Sequence, residues 1–206
     1  MKEVRRIVDE QADDSEKVQL GYLAEHSETE RLETAADHLS QMEELQPETW
    51  SALTETKREW CLRQVGQRLS EAYECPAPPF IGRQMPEVDG GVLLGAYSDP
   101  EYVTRLNREL LVENDAGKAL GTYCHEFRHA YQHEMVTRYN SAFRHLCHDK
   151  TAASRWAENL DERYVSFETN PEGYAAQSVE KDARDFADRL KEEVAKREAG
   201  RTRGAT

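Results

Sequence analysis

Apolar side chains recur at helical spacing through the first third of the chain. Ser27-x-x-Glu30 has the form of a capping box, and Leu32, Ala36, Leu39 and Met42 follow it on one face. Pro47 suits the first turn of a short helix carrying Trp50 and Leu53. Thr54 caps the next, in which Leu62, Val65, Leu69 and Ala72 form one apolar stripe. Cys75-Pro76-Ala77-Pro78-Pro79 then ends the helical region, because proline removes donors and forces its predecessor out of helical geometry. The pattern predicts an acidic N-terminal helical region over 1–75 and a second part over 76–200.

In that second part, Val92 to Tyr97 and Tyr102 to Asn107 flank the turn residues Ser98-Asp99-Pro100-Glu101. They predict a β-hairpin, the one sheet element expected. Asp115 suits the N-cap of a long helix packed through Leu120, Cys124, Phe127 and Tyr131. Residues 140–162 read as further helix with Phe143, Leu146 and Trp156 buried, and Tyr164 to Phe167 as a short extended stretch. Asn170-Pro171 starts a helix expected to run to about residue 197, with Gly200 and the basic tail Arg201-Thr202-Arg203 frayed. The predicted class is mainly α (α+β), with a small hairpin or sheet.

Composition narrows the function. Of 206 residues, 33% are charged and 38% apolar, with a mean hydropathy of −0.87. No apolar run approaches the length that spans a bilayer, and no apolar stretch of a secretory signal follows Met1-Lys2-Glu3-Val4-Arg5-Arg6. Cytoplasmic residence is the default expectation; export of an effector by a leaderless route is the alternative. The net charge of −13, of which residues 1–60 carry −9, argues against nucleic acid as a partner. Cys61, Cys75, Cys124 and Cys147 match no zinc-knuckle or redox spacing and read as reduced, buried thiols. Cys124 sits about 100° round the helix from its neighbour His125, which disfavours a nucleophilic role.

The chemistry concentrates in His125-Glu126-Phe127-Arg128-His129. Two histidines four apart on a helix project from one face, close enough to share an ion, and the Glu beside the first can deprotonate a bound water. A catalytic zinc takes three protein ligands, so a third must come from elsewhere. Ala130-Tyr131-Gln132-His133 lacks the His-x-x-Gly-x-x-His spacing, and His133 cannot readily converge with two ligands on the same straight helix. Glu180 is the better candidate. It shares a helix face with Ala183 and Ala187, where an isolated carboxylate is costly to bury unless it meets a cation. An i,i+4 pair with Arg184 is the competing assignment for Glu180. Asp182 is second choice as ligand, and Asp185 an orienting or solvent-facing group. Arg128 points away from the metal face, toward an acidic surface group.

His-Glu-x-x-His on one helix, followed by Glu-x-Asp-Ala-x-x-Phe-Ala at Glu180 to Ala187, resembles gluzincin-type zinc metallopeptidases. It is similar in particular to ImmA/IrrE-type peptidases and to zincin-like domains of bacterial toxins and mobile elements. Tyr131-Gln132 and the stretch from Leu94 to Asn107 extend the resemblance over roughly residues 90–190. It implies a zincin-like core over 76–200 and a zinc ion on His125, His129 and Glu180. It further implies a zinc-dependent endopeptidase in which Glu126 is the general base. Tyr174 or Tyr164 would stabilise the oxyanion. Expected partners are a protein or peptide substrate and, for a toxin or effector, an immunity or inhibitor protein. A catalytically inactive zincin-fold binding module and a helical interaction protein are the alternatives.

Overall fold

The computed structural model describes residues 27–88, 91–160, 163–167 and 169–204. Residues 1–26 of the expected acidic region lie outside the described residues. From Ser27 onward the caps behave as the sequence predicts. The Ser27 hydroxyl accepts from the Glu30 amide at 3.2 Å, and the Glu30 carboxylate accepts from the Ser27 amide at 2.6 Å, opening α1 (Glu28–Ser40). Pro47 begins α2 (Pro47–Ala52), and Thr54 caps α3 (Glu55–Tyr73).

The sheet departs from expectation. After the proline-rich break come β1 (Phe80–Arg83), β2 (Glu87–Val88), β3 (Gly91–Val92), β4 (Gly95–Ser98) and β5 (Val103–Asn107). The hairpin is present as β4 antiparallel to β5, with Gly95 opposite Leu106 and Ser98 opposite Val103. However, β1 adds parallel to the far side of β5, giving the order β1-β5-β4, while β2 and β3 form a separate two-residue pair. The hairpin is therefore not the one sheet element. Four-residue β1 follows a proline run and pairs with a partner more than twenty positions away, so no local turn signal announces it. This order leaves β4 at an edge of the sheet.

The remaining elements are α4 (Glu109–Val112), α5 (Ala116–Asn140), α6 (Lys150–Asn159), α7 (Pro171–Ala176) and α8 (Ser178–Gly204). Asp115 caps α5 by accepting from the Lys118 amide at 2.8 Å. Phe143, expected in the core, is exposed, and only a 3-10 turn over Arg144–Leu146 precedes α6. Residues 164–167 form no strand. The helix expected from Pro171 to about 197 is broken at Gln177, whose backbone is extended (φ −61°, ψ 145°), and it then continues to Gly204 rather than fraying at Gly200.

One apolar core holds these elements. It runs from Leu32 and Leu39 on α1, through Leu62 and Val65 on α3 and Phe127 and Tyr131 on α5, to Phe186, Leu190 and Val194 on α8. The expected boundary near residue 75 coincides with the end of α3, but the core crosses it without a seam. Gly66 permits the α3–α5 approach: a Cβ there would lie 2.1 Å from the Tyr123 hydroxyl. Buried Arg58 donates to the carbonyls of Trp50, Leu111 and Glu113, so one guanidinium satisfies the carboxyl ends of both α2 and α4.

Candidate metal centre

The imidazoles of His125 and His129 rise from adjacent turns of α5, with their Nε2 atoms 3.0 Å apart. Glu180, three residues past the break at Gln177, meets them from the facing helix α8. Its Oε2 lies 3.4 Å from His125 Nε2 and its Oε1 3.4 Å from His129 Nε2. The three donor atoms lie within 4.8 Å of one another, and the trio forms a group able to hold a metal ion. Glu180 is 1% exposed, yet its Oε2 is a buried oxygen without a hydrogen-bond partner. A buried carboxylate oxygen left in that state is costly, and a cation at the centre of the trio removes the cost. Two imidazoles and a carboxylate fit a borderline divalent ion such as zinc. Burial opposes ionisation of Glu180, but the His125 and His129 imidazoles beside it outweigh that and hold the carboxyl far below its ordinary range.

Glu126 occupies the next position on α5 and turns toward β4. It is 5% exposed, and burial raises its pKa against the opposing pull of His129 and His125. Gly95 makes room for it. A Cβ on Gly95 would stand 2.8 Å from Glu126 Oε1. The edge strand and the carboxylate thus share one space that only glycine leaves open.

The break at Gln177 aims the third group. Within one continuous helix, residues 174 and 180 would project about 120° apart. Instead, the Tyr174 phenol reaches the Glu180 carboxylate, and burial together with that carboxylate pushes its pKa well up. The Gln177 side chain holds the break open by receiving the Val165 amide at 2.9 Å and donating to the Val165 carbonyl at 2.9 Å. Asn159 Oδ1 accepts from the Ser178 amide at 3.0 Å, capping the first turn of α8. Tyr164 packs edge-on against Tyr174 with ring centroids 6.3 Å apart.

Other candidates fall elsewhere. His133 Nδ1 lies 3.2 Å from Asp99, away from the trio. Asp182 faces Arg128 at 2.8 Å, and Asp185 pairs with Lys181 at the surface. The i,i+4 contact of Arg184 with Glu180 exists but is long, at 4.0 Å. Arg128 points away from the trio, as expected, and into the interior, where it meets Asp182 and Glu28. Cys124 is buried, and burial pushes its thiol up to about 12, which leaves no nucleophile.

Sequence reasoning assigned no role to Gln132. It is fully buried, and its Oε1 lies 2.9 Å from His129 Nδ1. Its amide nitrogen donates to the Val179 carbonyl at 2.9 Å and to Asp182 Oδ2 at 2.8 Å. With the NH₂ committed to two acceptors, the carbonyl must face His129, whose Nδ1 then carries the proton and whose Nε2 lone pair points to the trio. An amide on the packed face of α5 was the signal available in the sequence.

Two cavities flank the site. On one side a chamber of about 550 Å³ is lined by Tyr97, Pro100, Leu160, Tyr164, Phe167 and Val179. On the other, a space of about 430 Å³ is bordered by Lys118, Thr122, Arg184 and Lys191. Gly95, Glu126 and Tyr174 line both. Comparison with protein-family models, curated proteins and solved structures finds no match to this chain.

Proposed function

We propose that the protein is a zinc-dependent endopeptidase, with zinc held by His125, His129 and Glu180. The observation that carries this reading is the buried Glu180 carboxylate, each oxygen 3.4 Å from a different imidazole and Oε2 without a hydrogen-bond partner, with a separate buried carboxylate, Glu126, beside them. A purely structural ion has no use for that second carboxylate. Zinc, when bound, supplies the charge that lowers the pKa of a coordinated water and polarises a carbonyl.

Glu126 takes the proton of the attacking water as its oxygen adds to the peptide carbon, and the raised pKa of its carboxyl suits it to keep that proton briefly. The C–N bond then breaks, and Glu126 returns the proton to the leaving amine. The Tyr174 hydroxyl donates to the developing oxyanion, a role for which a phenol kept protonated by burial is suited. Cavities lie on both sides of Glu126, and space for substrate residues on each side of the cut bond suits internal cleavage over removal of terminal residues. The resemblance to ImmA/IrrE-type and toxin domains makes a regulatory protease or a toxin the proposed context, with an inhibitor protein as partner in the second case. Among the described residues no helix is long and apolar enough to cross a membrane.

The test pairs metal analysis of the purified protein with hydrolysis of an unfolded protein substrate. About one zinc per chain and internal cuts that stop in Glu126→Gln support the reading. Absence of bound zinc, or cuts that persist in Glu126→Gln, would overturn it.

A further inference from the structure

Arg128 lies within the histidine motif yet takes no part in the metal trio, and it is one of the most enclosed charges in the molecule. Its guanidinium sits among four rings, 4.8 Å from the centroid of Tyr131, 4.9 Å from Phe186, 5.4 Å from Trp156 and 5.9 Å from Tyr73. Two carboxylates neutralise it. Arg128 Nε and Nη2 donate to the two oxygens of Asp182 at 2.8 and 3.2 Å. Arg128 Nη1 donates to Glu28 Oε1 at 2.9 Å, and the Tyr73 hydroxyl donates to the same oxygen at 3.3 Å. Glu28 is the first residue of α1.

These contacts join those of Gln132 into one unbroken path from Glu28 through Arg128, Asp182 and Gln132 to His129. Each link restricts the next. Glu28 occupies Nη1 and so holds one edge of the guanidinium in place among the aromatics. That pose allows the bidentate grip on Asp182, and Asp182 then offers Oδ2 to the Gln132 amide. If Asp182 moves, Gln132 keeps the Val179 carbonyl alone as acceptor, and one hydrogen bond in place of two opposes rotation of its amide. A rotated amide presents NH₂ to His129 Nδ1. That favours the tautomer with hydrogen on Nε2, which blocks the lone pair a metal needs.

We infer that seating of α1 through Glu28 sets the His129 tautomer, and through it the affinity for the ion. Glu28, Arg128 and Asp182 are positioning residues in this scheme. The inference rests on the metal-centre reading for its second half only, since the tautomer is defined without metal. Anything that lifts α1 from α8, whether a bound partner or a cut ahead of the helix, would loosen the ion without touching a ligand.

The experiment uses the full chain as wild type, Glu28→Gln and Asp182→Asn, with Glu33→Gln on the exposed face of α1 as control. Zinc affinity is read by competition with a chromophoric chelator, and the His129 tautomer by nitrogen–proton correlation on metal-free protein. Asp182→Asn is expected to weaken zinc binding about 10- to 100-fold. Glu28→Gln is expected to weaken it about threefold to tenfold. Both should shift His129 away from the Nδ1-protonated form, while Glu33→Gln matches wild type. If Asp182→Asn fails to fold, Glu28→Gln alone decides. A folded Glu28→Gln chain with wild-type tautomer and zinc affinity within twofold of wild type overturns the inference. A wild-type chain that binds no zinc but shifts its His129 tautomer on Glu28→Gln overturns the metal reading and supports the path.

Discussion

Gly95 and Glu126 compete for the same volume: a single methyl on Gly95 would stand 2.8 Å from the Glu126 carboxylate oxygen and 3.0 Å from its Cγ. Gly95→Ala should therefore displace Glu126, the proposed general base, and leave His125, His129 and Glu180 in place. Zinc content is expected to stay near wild type while kcat falls by up to about 100-fold, the scale of an ångström-sized misplacement. Loss of zinc in this variant would count against the separation of base and ligands.

Glu126→Gln keeps the shape of the side chain but removes its basicity. Bound zinc should persist and peptide hydrolysis should drop by at least about 100-fold, measured as kcat on an unfolded substrate.

Glu180→Ala removes the proposed third ligand rather than the proposed base. Zinc should be lost to a competing chelator at concentrations that leave wild type loaded, with affinity lower by more than about 100-fold. If that variant kept full zinc occupancy, Glu180 would not be the third ligand.

Tyr174→Phe tests the phenol alone. With Glu180 still in place, zinc should remain and kcat should fall about 100-fold, with KM little changed.

The thiols give a pH signature independent of the metal. Burial pushes Cys61, Cys75 and Cys124 each up to about 12. A thiol raised above its unfolded value near 8.5 contributes stability that is complete below that pH and is lost as pH climbs through the folded value. Denaturant midpoints should thus fall progressively from about pH 8.5 upward. Iodoacetamide at pH 8 should leave these three cysteines unmodified in the native chain, as read by mass spectrometry.

Much of the site was legible because its signals are local. His125, Glu126 and His129 lie on one helical turn and a neighbour, and Glu180 betrayed itself as a lone carboxylate among Ala183, Ala187 and Phe186. The caps at Ser27, Thr54 and Asp115 were equally readable. What escaped depends on distant partners. β1 exists because β5 accepts it, and the break at Gln177 exists because a side-chain amide finds the Val165 backbone rather than because a proline or glycine marks it. Arg128 looked like a surface charge for the same reason: the aromatics that enclose it come from α3, α6 and α8 as well as its own helix.

Because β4 is an outermost strand among the described residues and lies beside the site, an endopeptidase of the proposed kind would grip a target's main chain along this edge, apart from the Tyr97 amide, which serves Glu126. Recognition of that kind reads conformation before it reads residue identity. A well-folded protein, its loops tucked down, presents nothing to zip alongside; a stretched or partly unravelled one does. N-methylation of substrate amides, which deletes donors and spares side chains, should consequently abolish cutting where swapping side chains merely slows it.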